Sequence, residues 1–152
     1  MLDLFEEFRA LVRCLETAGL DYALCGGLAL SVYSTPRATV DIDVMVLPED
    51  MDRLKSLAAE LGFDFEAAPM VFADGKVDIR RFSKIEQKSG DVLMLDILVV
   101  TPALKDVWAS RTQIEWEGGS LRVVSRDGLI DLKRLRGSAV DLEDIAHLEE
   151  EG

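Results

Sequence analysis

Two apolar runs constrain this chain more than anything else in it: Val40-Asp41-Ile42-Asp43-Val44-Met45-Val46, and the stretch 91–100 around Val92-Leu93-Met94-Leu95-Asp96-Ile97-Leu98-Val99-Val100. Each is rich in β-branched residues and nearly continuous, the pattern of a central strand covered on both faces. Each also carries carboxylates in its interior. Residues two apart on a strand face the same way, so Asp41 and Asp43 project together while Val40, Ile42, Val44 and Val46 project oppositely. Asp96 is the only charge between Val92 and Val100. A carboxylate buried in such a strand needs a cation, a hydrogen-bonding partner or an exit to solvent.

The remaining pattern supplies the helices that such strands require. Leu4, Phe5, Phe8, Leu11, Val12 and Leu15 recur at three- and four-residue spacing, which predicts an amphipathic helix over 2–18 stopped by Gly19. A short buried strand follows at 22–25, ending at Gly26-Gly27, and a second helix over 27–33 closes before Pro36. Pro48-Glu49-Asp50 opens a helix with apolar Met51, Leu54, Leu57, Ala58 and Leu61, and Gly62 ends it. Asp74-Gly75 predicts a turn between strands at 71–72 and 77–82, and Gly118-Gly119 one between 114–116 and 121–124. A short helix is expected over 101–110, and a helical segment over about 125–150, broken near Gly137. The order α-β-α-β-α-β-β-β-α-β-β-α-α predicts an α/β (α+β) fold, a mixed twisted sheet flanked by helices, in a single domain over 1–152.

Composition narrows the classes. The 152 residues carry 17 Lys plus Arg against 29 Asp plus Glu, a net charge of -12, with 49% hydrophobic residues. That is a globular composition, and disorder, collagen and a disulfide scaffold are excluded. No apolar run approaches the roughly 20 residues of a membrane span. The acidic opening residues carry no secretory pattern, so a cytoplasmic address is expected. Cys14 and Cys25 lack CxxC spacing and are read as buried, reduced thiols. The acidic balance argues against charge-driven wrapping around nucleic acid. Residues 76–152 nevertheless hold 12 of the basic side chains, and Lys76, Arg80, Arg81, Lys84 and Lys88 form the densest basic stretch, read by default as a solvated hairpin.

The chemistry is expected where carboxylates and glycines meet. Two carboxylates side by side in a partly buried strand raise each other's pKa unless a positive charge lies between them. A divalent cation is the natural answer, and oxygen-only ligands point to Mg2+ or Mn2+. Asp96 is read as the third ligand. Asp78 competes for that role, but Arg80 and Arg81 offer it ordinary salt bridges. Gly26 and Gly27, between a strand and a helix, let a phosphate approach the backbone and the first helical amides. By itself such a pair is more often only a tight turn. His147 in an acidic helix is read as a surface residue, and Trp108 and Trp116 as packing.

Gly26-Gly27-x-Ala29-Leu30, then Arg37-x-Thr39-x-Asp41-Ile42-Asp43 on a strand and a later strand Asp96, resembles the signature of the polymerase-β-type nucleotidyltransferases. The wording is most similar to AbiEii-like toxin nucleotidyltransferases and related bacterial proteins, and it is also similar to the lincosamide and aminoglycoside enzymes. The resemblance covers 22–47 well and the helical tail more loosely. It implies the nucleotidyltransferase fold, with Asp41, Asp43 and Asp96 holding metal as the catalytic carboxylates. A nucleoside triphosphate would lie over Gly26 and Gly27, and its NMP would pass to an RNA, protein or small-molecule acceptor. Arg37, Thr39 and Lys133 are implied nucleotide contacts, and Asp141 or Asp144 would match a later acidic position. For Lys133 the residues alone suggest a solvated helix face. Gly27 stands where Ser is more usual, so backbone amides would replace a hydroxyl. The shortness of the chain points to a partner protein or homo-oligomer for acceptor recognition. Two alternatives stay open: an inactive nucleotide-binding or regulatory protein on the same fold, and a glycosyltransferase using Asp-x-Asp to hold a sugar nucleotide.

Overall fold

The amphipathic opening forms helix α1 (Leu4–Ala18) in the computed structural model, which describes residues 1–34 and 41–151. The Asp3 side chain accepts from the Glu6 N–H and caps the helix, and Gly19, at φ 67, ends it in the left-handed conformation. Strand β1 (Ala23–Cys25) runs directly into helix α2 (Gly26–Tyr33). The first apolar run is strand β2 (Asp41–Val46). Pro48–Asp50 is a 3-10 turn that feeds helix α3 (Met51–Glu60), so the single helix expected there is a turn plus a helix. Strands β3 (Phe65–Glu66), β4 (Met70–Phe72), β5 (Val77–Ile85) and β6 (Val92–Val99) follow. Helix α4 (Lys105–Ala109) and the hairpin β7 (Thr112–Trp116) and β8 (Gly119–Val123) precede helices α5 (Arg126–Arg136) and α6 (Ala139–Glu151). The two-residue β3 is the one strand that the sequence pattern did not signal; its side chains are exposed, so it carries no burial periodicity.

The strands form one mixed sheet in the order β3-β5-β6-β2-β1-β8-β7, with β4 also paired to β5. The two runs identified from sequence are its centre: β2 and β6 lie side by side and parallel. Register then decides what shares a row. Cys25 opposes Asp43, Asp43 opposes Asp96, and Asp96 opposes Arg81, across four neighbouring strands. On the other face Ile42 opposes Leu95 and Leu95 opposes Phe82, all buried. Lys84, which shares that second face with Phe82, reaches Glu7 of α1 at 2.9 Å, so α1 covers it. The acidic row therefore looks away from α1, toward α5.

The tail is fixed by polar contacts as well as by apolar ones. Ser138 and Asp141 form a reciprocal cap on α6: the Ser138 hydroxyl and N–H donate to Asp141 at 2.6 and 3.2 Å, and the Asp141 N–H donates back at 3.1 Å. Lys133 of α5 is only 3% exposed and donates to Asp144 of α6 at 2.9 Å, with Asp141 4.0 Å away. The solvated-face reading of Lys133 is thus overturned, because α6 folds back over it. Removing one partner of a buried pair strands the other, whereas an exposed pair is worth little. Lys133→Met is therefore expected to cost roughly 3 kcal/mol in urea denaturation. Arg134→Met, which breaks the exposed pair with Glu149, should cost under about 1 kcal/mol.

Candidate functional site

The strand–helix junction at Cys25-Gly26 creates the floor of the site. Gly26 has φ 72, and a Cβ placed on it would lie 2.2 Å from Oδ2 of Asp43 and 2.6 Å from its Cβ. The missing side chain is therefore space already taken by the Asp43 carboxyl. This refines the expectation of a bare phosphate cradle: Gly26 first makes room for a carboxylate. Gly27 is buried in the first turn of α2.

One pocket gathers residues from both ends of the chain: Cys25, Gly26, Asp43 and Asp96 on one side, Leu132, Lys133 and Arg136 of α5 on the other. Four of the residues singled out from sequence, Gly26, Asp43, Asp96 and Lys133, thus share it. Asp41 lies on the same face of β2 as Asp43, with its side chain partly exposed. Arg37 and Thr39 fall outside the described residues. Sequence reasoning missed Arg136. The only available signal was its place one helical turn beyond Lys133, and spacing of this kind does not reveal which face a neighbouring helix leaves open.

It also misassigned Arg81. Arg80 does pair with Asp78, at 2.8 and 3.1 Å, as expected. Arg81 instead points to the opposite face and forks onto Asp96, Nε to Oδ1 at 2.7 Å and Nη2 to Oδ2 at 2.9 Å, with Nη2 4.0 Å from Asp41. The alternation of β5 separates the two arginines, and only the β5–β6 register shows which acid Arg81 meets. Asp78 is thereby removed as a rival third ligand. The basic stretch is largely neutralised too, since Lys84 is held by Glu7.

The electrostatics follow from crowding. Burial pushes the Asp43 carboxyl up to about 7, repulsion from Asp96 and Asp41 adds to it, and Arg136 and Lys133 oppose it. Asp41 is raised by burial and by Asp96, against the pull of Arg81 and Arg136. Arg81 is raised in turn by its bond to Asp96. Burial and the nearby Asp43 hold the Cys25 thiol well above its usual value, so it is a neutral wall rather than a nucleophile. Cys14, expected to be buried, is only partly so. Among the described residues no three His, Cys, Asp or Glu side chains converge as a finished metal cage. Both oxygens of Asp96 are turned to Arg81. The donor set nonetheless fits a hard divalent cation, being three carboxylates on one sheet face, of which Asp96 is bonded to the Arg81 guanidinium.

Elsewhere the bland readings stand. His147 is exposed beside Glu143, and Trp116 packs on Phe8 with ring centroids 5.2 Å apart. Among the described residues no helix is long and apolar enough to cross a membrane.

Residues 9–134 match the family described as nucleotidyl transferase AbiEii toxin, type IV toxin–antitoxin system. No curated protein matches the chain. Solved structures share the fold. A Thermotoga maritima protein described as a nucleotidyltransferase, TM1012, has 14% identity and a TM-score of 0.65, over 97% of this chain and 93% of that one. ANT(2'')-Ia in complex with adenylyl-2''-tobramycin has 14% identity and a TM-score of 0.62, over 93% and 84%. The lincomycin-bound lincosamide antibiotic adenylyltransferase LnuA has 15% identity and a TM-score of 0.59, over 97% of each chain.

The geometry sets two expectations. A carboxyl whose folded pKa lies above its unfolded value loses stability as pH rises between the two, here from about 4 to about 7. Asp43→Asn should therefore raise the melting temperature in EDTA at pH 8 by at least about 2 °C, with less than half that gain at pH 5. Gly26→Ala, strained at positive φ and colliding with Asp43, should destabilise by roughly 2 kcal/mol or more in urea titrations and displace the carboxyl.

Proposed function

The chain belongs to the AbiEii nucleotidyl transferase toxin family, of polymerase-β type, and we propose that it moves a nucleoside monophosphate from an NTP to a hydroxyl on an acceptor, with pyrophosphate released. The acceptor oxygen bonds to the α-phosphorus as the bond to the α–β bridging oxygen breaks. The observation that carries this reading is that acidic Asp43 and Asp96 of the sheet and basic Lys133 and Arg136 of α5 line one pocket. Carboxylates alone would repel a triphosphate, and cations alone would hold it without positioning its reaction.

Asp41, Asp43 and Asp96 would hold Mg2+ or Mn2+, which supplies neutralisation of charge on the phosphate oxygens. Lys133 and Arg136 face the same space and suit the departing phosphates, with Lys133 steadied by Asp144. The amides opening α2 at Gly26 and Gly27 are the backbone donors of the site. Asp96 would take the acceptor's proton once an oxygen is free of Arg81, which holds both in this structure. Arg37 and Thr39 are retained as nucleotide contacts, and residues 1–152 as one nucleotidyltransferase unit.

Lincomycin and the adenylylated tobramycin of the neighbours support a small hydroxyl-bearing acceptor. The family's toxin–antitoxin assignment supports a macromolecular one and a partner protein. Neutralisation of Arg80, Arg81 and Lys84 by carboxylates weighs against a long RNA track along β5. Family membership removes the glycosyltransferase alternative. A nucleotide-binding regulator without transfer remains a second reading, and the bidentate hold of Arg81 on Asp96 is what favours it.

Calorimetric titration of each NTP, with and without Mg2+, tests the proposal. Metal-dependent binding is expected in the wild type and at least tenfold weakening, about 1.4 kcal/mol, in a folded Asp41→Ala/Asp43→Ala variant. Equal binding by both proteins overturns the site. Transfer of label from α-labelled NTP to tRNA, protein or aminoglycoside then separates the acceptors, and binding without transfer to any of them selects the regulator.

A further inference from the structure

The two adjacent arginines of β5 carry equal charges and opposite fates. Arg80 stays on its own strand and pairs with Asp78, while Arg81 crosses to β6 and takes both oxygens of Asp96. Its Nη2 also stands 4.0 Å from Asp41, so one guanidinium serves two of the three carboxylates. Parallel register sets Asp43 beside Asp96, at an interstrand spacing of about 4.8 Å, on a sheet face partly closed by α5. Without a cation there, like charges on neighbouring central strands would repel in a poorly hydrated setting. Arg81 supplies such a cation to Asp96. Its side chain is 32% exposed, unlike Lys133, which is locked behind α6, so Arg81 has a path by which to leave.

We propose that Arg81 is a tethered counter-ion that holds Asp96 while the site lacks metal and gives it up when a divalent cation binds, so that guanidinium and metal compete for one carboxylate. The inference rests on the metal-site reading above and adds a residue that sets the metal affinity. The planar fork takes one lone pair on each Asp96 oxygen and sets a full positive charge against that edge of the carboxylate, so an ion approaching the same edge meets occupied donors and a like charge. Metal binding at that edge breaks at least one of these bonds, and binding at any other edge still works against the guanidinium charge. The pair has two effects: it keeps the acidic row folded without metal, and it weakens the site for metal. A residue that only supported the structure would have the first effect alone.

Mn2+ titration by calorimetry, on wild type, Arg81→Met, Arg81→Lys and Arg136→Met, distinguishes these roles, with melting measured in EDTA and in Mn2+. Arg81→Met is expected to bind Mn2+ roughly tenfold more tightly, to melt lower than wild type in EDTA, and to gain more from Mn2+. Arg81→Lys, which keeps the charge and loses the fork, should fall between, and it carries the test if the methionine variant does not fold. Arg136→Met removes a positive charge from the same pocket without freeing a carboxylate oxygen, so its gain should be several-fold smaller. Equal gains for the two arginines, or affinity unchanged or weakened in a folded Arg81 variant, overturn the proposal while leaving the metal site standing. Failure of wild type and Arg81 variants alike to bind Mn2+ overturns both.

Discussion

Like charges brought together on the central strands of a sheet are the constraint on which the rest of this structure depends. The parallel register of β2 and β6 places Asp43 against Asp96, and the surrounding apolar core leaves little water to separate them. Every other feature of the site answers that repulsion. Arg81 bonds to one carboxylate, burial and repulsion push another up to about 7, and Lys133 and Arg136 add positive charge from α5. A sheet built only for stability would put Val or Ile at those positions, since buried ion pairs seldom outweigh apolar packing. Acids at those positions fit the proposed site better than a purely structural role.

The helices at the site serve the same end by different means. α2 begins directly after β1 because Gly26 can turn at positive φ, and that residue's missing Cβ is what admits Asp43 to the junction. α5 brings Lys133 and Arg136 to the pocket, and α6 closes behind Lys133 with Asp144, while Asp141 caps its first turn. The later acidic positions thus act on the lysine and the helix start, one step removed from the acidic row. The orientation of the buried Lys133 is thus set by the helix that follows its own.

Much of this was legible from residue order. Periodicity located the helices and the central strands, since burial on one stripe or both faces leaves a local mark. Asp41, Asp43 and Asp96 stood out because a charge within an apolar strand has few explanations. The resemblance of Gly26-Gly27 and Asp41-x-Asp43 to the nucleotidyltransferases agreed with the family match over 9–134. What escaped were partners chosen across strands and helices. Arg81 was read as a companion of Asp78 because the two are near in sequence, and for Lys133 a solvated helix face stood beside the nucleotide contact that the resemblance implied, with nothing local to show its burial. β3 escaped as well, being two exposed residues with no pattern to read.

The sequence by itself determined where the long helices and central strands lie and that three acids need a cation, a hydrogen-bonding partner or an exit to solvent, because propensity, periodicity and the cost of burying charge act over a few residues. Only the tertiary structure decided which of these each acid finds. Register is a long-range property: a shift of one residue between β5 and β6 would turn Arg81 to the other face and send Asp96 a different neighbour. The same holds for the return of α6 over Lys133, where packing of elements rather than local preference converts a surface lysine into a buried one.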